Sequence, residues 1–192
     1  DDSGSDYPGT GKEGMAGMTD AIMMSSRDGE HWNRPFPEAW VRAGLDERNW
    51  THRNNCPAVG ILPLQDREWS MYVSEHYGWS DNRLRRYSLR PWGFASINAR
   101  YRGGEVITKP LTFSGPELRI NFSTSAVGSV RVELQDTEGK AIQGRGLDDM
   151  EPIYGDQLDH VVHWRDSAEV SRLAGQPVRL RFELKDADVF SF

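Results

Sequence analysis

The chain has 192 residues, with 23 basic against 29 acidic side chains for a net charge of −6, one cysteine and 37% hydrophobic residues. That length suits one or two small domains, and an acidic chain with no basic block lacks the electrostatic footprint of phosphate-backbone binding, so no nucleic acid partner is expected and an anionic membrane surface is disfavoured. No run approaches the roughly 18–20 apolar residues that a spanning helix needs, and a lone Cys56 excludes an internal disulfide and a multi-thiolate zinc site.

The first residue is Asp1 rather than Met, so a fragment of a longer protein is expected. Six of the seven Trp residues, Trp32, Trp40, Trp50, Trp69, Trp79 and Trp92, lie in the first half, and only Trp164 lies beyond. Charge does not divide this way. Residues 1–90 carry 14 acidic and 11 basic groups and residues 91–192 carry 15 and 12, which is −3 each. The asymmetry is aromatic, and it suggests a boundary near Arg90, with one domain over 1–90 and another over 91–192.

In chain order, residues 1–20 are rich in Gly, Ser and Asp without apolar periodicity and read as a loop segment. Residues 21–26 form a short apolar run, broken at Arg27-Asp28-Gly29, and 30–34 return, which predicts a hairpin with Asp-Gly in its turn. Residues 35–55, with two prolines and several aromatics, predict an irregular loop with one helical turn, too long to be a plain connector. Residues 58–62, 68–74 and 83–89 predict three strands of a meander. In the second half, 94–99, 106–113, 118–123, 129–135, 160–164 and 178–184 alternate apolar and polar residues, the signature of strands buried on one face. Six such strands in about a hundred residues imply a two-sheet sandwich. Residues 167–173, closed by Gly175, predict the one helical turn of this half. The fold class is therefore all-β: an antiparallel β-sandwich, jelly-roll-like, preceded by strands of the kind that build propeller blades.

Ser26-Arg27-Asp28-Gly29-Glu30-His31-Trp32 is the sharpest local pattern. Asp28 suits a turn because its carboxylate accepts nearby amides, Gly29 tolerates positive φ, and Trp32 is expected to pack a large face between strands. Asp28 is thus a structural residue in this reading. Tyr72-Val73-Ser74-Glu75-His76-Tyr77 ends a strand with a carboxylate and an imidazole between tyrosines, which makes Glu75 the candidate general acid. The competing use of Glu75 is a salt bridge to an arginine of Arg83-Leu84-Arg85-Arg86 on the adjacent strand. Trp50-Thr51-His52-Arg53-Asn54-Asn55 combines an aromatic face with planar donors, a set that suits sugar recognition as well as loop anchoring. Trp50, His52, Arg53, Asn54, His76 and Tyr77 are the candidate substrate-binding residues. No metal-ligand spacing and no phosphate loop is present, and no cofactor is expected. Residues 148–159 are acid-rich without calcium-loop spacing, and Arg145 is expected to neutralise part of them. A small, buried or half-buried packing role is expected for Cys56.

Residues 26–32, Asn54-Asn55-Cys56-Pro57-Ala58-Val59-Gly60, Tyr72-Val73-Ser74-Glu75 and Arg83-Leu84-Arg85-Arg86-Tyr87-Ser88-Leu89-Arg90 resemble the closing part of a bacterial five-bladed β-propeller glycoside-hydrolase-like protein. This is the clan of invertase-like and arabinanase-like enzymes, glycoside hydrolase families 32 and 43. Residues 93–192 are similar to the β-sandwich that follows such propellers. The resemblance implies an extracellular or periplasmic protein acting on polysaccharide. Residues 1–90 are too few for five blades, and no early-blade nucleophile motif is present, so an isolated chain of this kind is expected to lack a complete two-carboxylate site. The alternative is a freestanding, non-catalytic carbohydrate-binding or structural β-sandwich module.

Overall fold

A computed structural model describes residues 17–65, 68–165 and 167–192. The fold is all-β, built from open antiparallel sheets, and its only helical pieces among the described residues are three-residue 3-10 turns. None of these is long and apolar enough to cross a membrane. The chain divides into two compact units, with the boundary between Leu89 and Arg90.

In the first unit the described strands are β1 (Ala21–Ile22), β2 (Ser25–Ser26), β3 (Trp32–Asn33), β4 (Ala39–Val41), β5 (Leu62–Gln65), β6 (Glu68–Glu75) and β7 (Arg83–Leu89). β1 pairs with β4, β2 with β3, and β5, β6 and β7 form a three-stranded meander. Along β6 the side chains alternate. Met71 and Val73 pack with Val41 into a small core, against which Ala21, Trp40, Ile61 and Tyr87 lean. The register of β6 on β7 places Met71 opposite Tyr87, Val73 opposite Arg85 and Glu75 opposite Arg83. The predicted strand at 58–62 starts instead at Leu62, and Pro63 is tolerated there because β5 is an edge strand. β4 and the 3-10 turn Glu47–Asn49 lie within the predicted irregular loop.

The 25–33 hairpin forms with Ser26 opposite Trp32. Asp28 Oδ1 accepts the amides of Glu30 at 2.9 Å and His31 at 2.8 Å, and Oδ2 meets His31 Nδ1 at 2.7 Å, while Gly29 takes φ 80°. These bonds hold the Asp28 carboxyl well below the usual carboxylate range, the His31 amide contributing most. Trp32 departs from the sequence reading. Its ring is 57% exposed and its Nε1 donates to the Gly29 carbonyl at 3.2 Å, because strands of two residues offer no second layer to cover it.

The second unit contains β8 (Ile97–Ala99), β9 (Gly104–Ile107), β10 (Arg119–Gln135), β11 (Asp156–Val161) and β12 (Arg179–Ser191). They form one sheet in the order β11-β10-β12-β8, with β9 also on β12. The two strands predicted at 118–123 and 129–135 are one 17-residue strand, whose register on β12 shifts between Thr124 and Ser129. Gly128 sits at this irregularity, where a Cβ would stand 2.3 Å from the Asp186 carbonyl, so no other residue fits without moving backbone. One face of the sheet buries Val130, Val132, Leu134, Leu180, Phe182 and Leu184, as the alternation predicts. Trp164, 1% exposed, packs on this face and donates from Nε1 to the Val132 carbonyl at 2.9 Å. The predicted strand 160–164 lies earlier, at β11, and the helical turn is confined to Ser171–Leu173.

The opposite face carries ion pairs: Arg131 with Glu183 at 2.5 Å, and Arg181 with Glu105 at 2.7 Å and Glu133 at 3.4 Å. Glu133 is nonetheless 7% exposed, because Leu147 folds over it and donates its amide to Oε2 at 3.1 Å. Burial opposes its ionisation, but the bonds from Gln135, Leu147 and Arg181 outweigh it and hold the carboxyl below its ordinary value. Arg145 does not neutralise the acid-rich segment. It donates to the carbonyls of Gly144 and Glu169 and lies over Trp164, and Arg165 pairs with Asp149 instead. Arg90 anchors the start of the unit, bonding Asn121 Oδ1 at 2.6 Å, Asp156 Oδ1 at 2.5 Å and two backbone carbonyls.

Candidate functional site

Glu75 ends β6, and the other sequence-predicted site residues fall on two segments of the first unit, the loop 46–55 and the turn 76–82 that joins β6 to β7. Asp46 opens the 3-10 turn as its cap, accepting the Arg48 amide through Oδ1 at 3.1 Å. Two buried asparagines, Asn49 and Asn54, then hold the two segments together, and a third, Asn55, ties the loop to itself and to Thr19. Asn49 Oδ1 accepts the His76 amide at 3.1 Å. Asn54 accepts the Tyr77 amide at 2.7 Å and donates to the Arg48 carbonyl at 3.1 Å and Thr51 Oγ1 at 2.5 Å. Asn55 donates to the carbonyls of Thr19 at 2.9 Å and Asn49 at 3.2 Å. A buried amide in such a network costs little only when its bonds are made, which fixes the loop path. The path includes three non-glycine residues in the left-handed region, Arg53 at φ 63°, Asn55 at φ 60° and His76 at φ 57°. Such conformations persist where the surroundings over-determine them, and they cluster at functional loops.

His76 is the centre of the lock. Its side chain is 3% exposed, with Nδ1 2.8 Å from Asp81 Oδ2 and Nε2 2.8 Å from Asp46 Oδ2. Each ring nitrogen thus faces a carboxylate oxygen, one from the loop and one from the turn. Asp81 Oδ2 also accepts from Arg48 Nη1 at 2.7 Å, and the Arg48 guanidinium lies 5.4 Å from the Trp79 ring centre. The bond from His76 is the main reason the Asp46 carboxyl is held below its ordinary value. For Asp81 burial pushes the other way, and the pull of His76 and Arg48 prevails.

Glu75 is 1% exposed, and its oxygens are occupied. Oε2 accepts from Arg83 Nε at 3.0 Å, Oε1 accepts the Tyr87 hydroxyl at 3.0 Å, and Arg85 Nη1 lies 3.5 Å away. Burial, and then the bond to Glu75, push the Tyr87 hydroxyl above its ordinary value. This is the strand-to-strand salt bridge set against the catalytic reading from the sequence. A carboxylate so enclosed offers no face to a glycosidic oxygen.

At the surface the arrangement is different. Arg53 Nη1 donates to the Tyr77 hydroxyl at 2.6 Å and its guanidinium lies 5.3 Å from the ring centre of the same tyrosine. The His52 ring meets Tyr77 edge-on, with centres 6.0 Å apart. Trp50 is 56% exposed, steadied by donation from Nε1 to the Gly44 carbonyl at 3.0 Å. His52, Arg53 and Tyr77 are therefore brought together, Trp50 stands on the same loop, and Asn54 and His76 form the layer that fixes them rather than a contact surface. Cys56 is exposed, contrary to the packing role expected of it, and its Sγ lies 3.4 Å from the Asn54 carbonyl.

Sequence reasoning missed Asp46, Arg48, Asn49 and Asp81. The signal for Asp46 was its place before Glu47-Arg48-Asn49 as a helix cap. Asp81, Arg48 and Asn49 carry no local signal, since their partners are fixed only by the fold. Among the described residues no group of three or more His, Cys, Asp or Glu is placed to hold a metal ion. Comparison with protein-family models, curated proteins and solved structures returned no match.

Proposed function

We propose that this chain is the carbohydrate-binding part of an extracellular or periplasmic carbohydrate-active protein, and that it holds sugar on Trp50, His52, Arg53 and Tyr77 without cleaving it. The observation that carries this reading is the Arg53–Tyr77 pair, an exposed planar donor held against an aromatic ring on a loop fixed from beneath by buried asparagines. Aromatic faces take the C–H face of a pyranose ring, and a guanidinium gives forked donors to its hydroxyls. The enclosed pairing of Glu75 favours binding over hydrolysis.

In the same proposal the parent protein is of the glycoside-hydrolase-like propeller class. The three-stranded β5-β6-β7 meander and the Asp28 hairpin are blade elements, and residues 91–192 are the accompanying sandwich, with the layer containing Trp164 as its second face.

Affinity electrophoresis of the full chain through gels containing arabinan, polygalacturonate or other polysaccharides tests the reading. Retardation is expected on at least one, reduced about three- to tenfold by Trp50→Ala, the range that loss of one stacking ring gives. An unretarded wild type with an intact thermal transition overturns it.

A further inference from the structure

We infer that the ligand of this surface is an acidic saccharide, one whose sugars carry a carboxylate or sulfate group, and that Arg53 is the residue that selects it. This rests on the carbohydrate reading above and adds the charge of the ligand to it.

The described arginines of the first unit divide into two sets. Arg42, Arg48, Arg83, Arg85 and Arg86 each have a carboxylate within 4.0 Å, contributed by Glu38, Asp81, Glu75 or Glu68. Arg53 has none among the described residues, and its one side-chain hydrogen bond there is to the neutral Tyr77 hydroxyl. Arg27 and Arg34 also have no carboxylate within 4.0 Å among the described residues, but Arg53 differs from them in how it is held. Its backbone amide donates to Thr19 Oγ1 at 3.0 Å, its carbonyl accepts from Ser74 Oγ at 3.2 Å, and it is flanked by the buried Asn54 and Asn55. Its backbone is kept in the left-handed region at φ 63° by these bonds.

A long cationic side chain on an ordinary loop is free to sweep; this one is exposed but docked at one nitrogen on Tyr77, and its other donors make no further hydrogen bond among the described residues. A preorganised guanidinium with an unused fork matches a carboxylate or sulfate in a bidentate pair, about twice as strong as neutral hydrogen bonds. The nearby His76 and Arg48 already face Asp46 and Asp81, whereas Arg53, among the described residues, is an anchored guanidinium with no carboxylate beside it. In a chain of net charge −6 an acidic polymer gains nothing from overall attraction, so its binding would report this local site.

The test measures retention of the full chain on gels containing neutral arabinan, polygalacturonate or sulfated dextran, at low and high salt, for the wild type, Arg53→Gln and Arg53→Lys. Retention on an acidic polymer is expected to exceed that on arabinan. Arg53→Gln should weaken the acidic interaction by about tenfold or more while leaving the thermal transition unchanged, and Arg53→Lys should recover only part of the loss, since it restores charge without the fork. The two acidic polymers separate carboxylate from sulfate as the recognised group. Retention on arabinan alone, or an Arg53→Gln chain that holds acidic polymers as well as the wild type does, overturns the inference and leaves the carbohydrate reading standing. No retention on any polymer overturns both.

Discussion

The two units reach a fixed structure by opposite means. The second buries a continuous apolar core in which Phe122, Val130, Val132 and Phe182 have no exposed surface and Trp164 almost none. Among the described residues the first buries Val41, Met71 and Val73 as an apolar cluster, and its other deeply enclosed side chains include Asn49, Asn54, Asn55, Ser70, Glu75 and His76. Apolar burial supplies stability in proportion to area but says little about loop path, whereas a buried polar side chain is held to the geometry that makes its hydrogen bonds. The second unit is therefore suited to be a support, and the first is suited to hold irregular loops in a chosen conformation.

The largest test of this contrast is Phe182→Ala, which removes a fully buried ring from the centre of β12. A loss of about 3–5 kcal/mol is expected in the transition of the second unit, read by denaturant unfolding, and a loss below 1 kcal/mol would show that this core is not what holds the unit. Next comes His76→Ala, which leaves Asp46 and Asp81 without the ring that bonds both. Both carboxylates are more than one-third exposed, so the loss is moderated by solvent to about 1–3 kcal/mol, and it should be confined to the first unit. Unchanged amide-exchange protection in the loop 46–55 after that substitution would remove His76 from its role as the lock.

The smallest effect is in pH. Asp46 and Asp81 bind protons more weakly folded than unfolded, so their stabilisation is present in full above the ordinary carboxylate range near pH 4 and is lost as pH falls through and below it. Glu133 gives the second unit the same sign of dependence. Because the first unit has the smaller core, its acid transition should come first on titration from pH 6 to pH 2, followed by the fluorescence of its tryptophans against that of Trp92 and Trp164 in the second unit. Coincident transitions would erase the contrast between the units.

Much of the strand pattern was legible because it is written in alternation. β7 has the bounds its sequence predicts, and Arg179-Leu180-Arg181-Phe182-Glu183-Leu184 shows its buried face in the order of its letters. The fusion of two predicted strands into β10 was not legible, since Thr124 to Gly128 read as a break and only the close approach of Asp186 explains a glycine there. Glu75 was legible as a residue with two uses, and the register that puts it opposite Arg83 decides which is seen. The clasp of Asp46, His76 and Asp81 joins positions 30 and 5 residues apart through loops without periodicity, so no pattern in the chain announces it. Trp32 illustrates the converse, an aromatic whose type promised burial and whose two-residue strands supplied nothing to bury it.

β8 and β9 sit one after the other along the same side of β12, pairing with Ala187–Val189 and with Arg181–Leu184, and the interval between them holds Asp186 at φ 42°. A long strand at a sheet margin is a template on which another chain can grow, and it is the usual starting point for aggregation. Here the margin is divided into pieces of three and four residues with a kink between them, so an approaching strand finds no run long enough to extend. The device covers β12, a 13-residue segment of alternating apolar side chains, along the side that β10 does not pair.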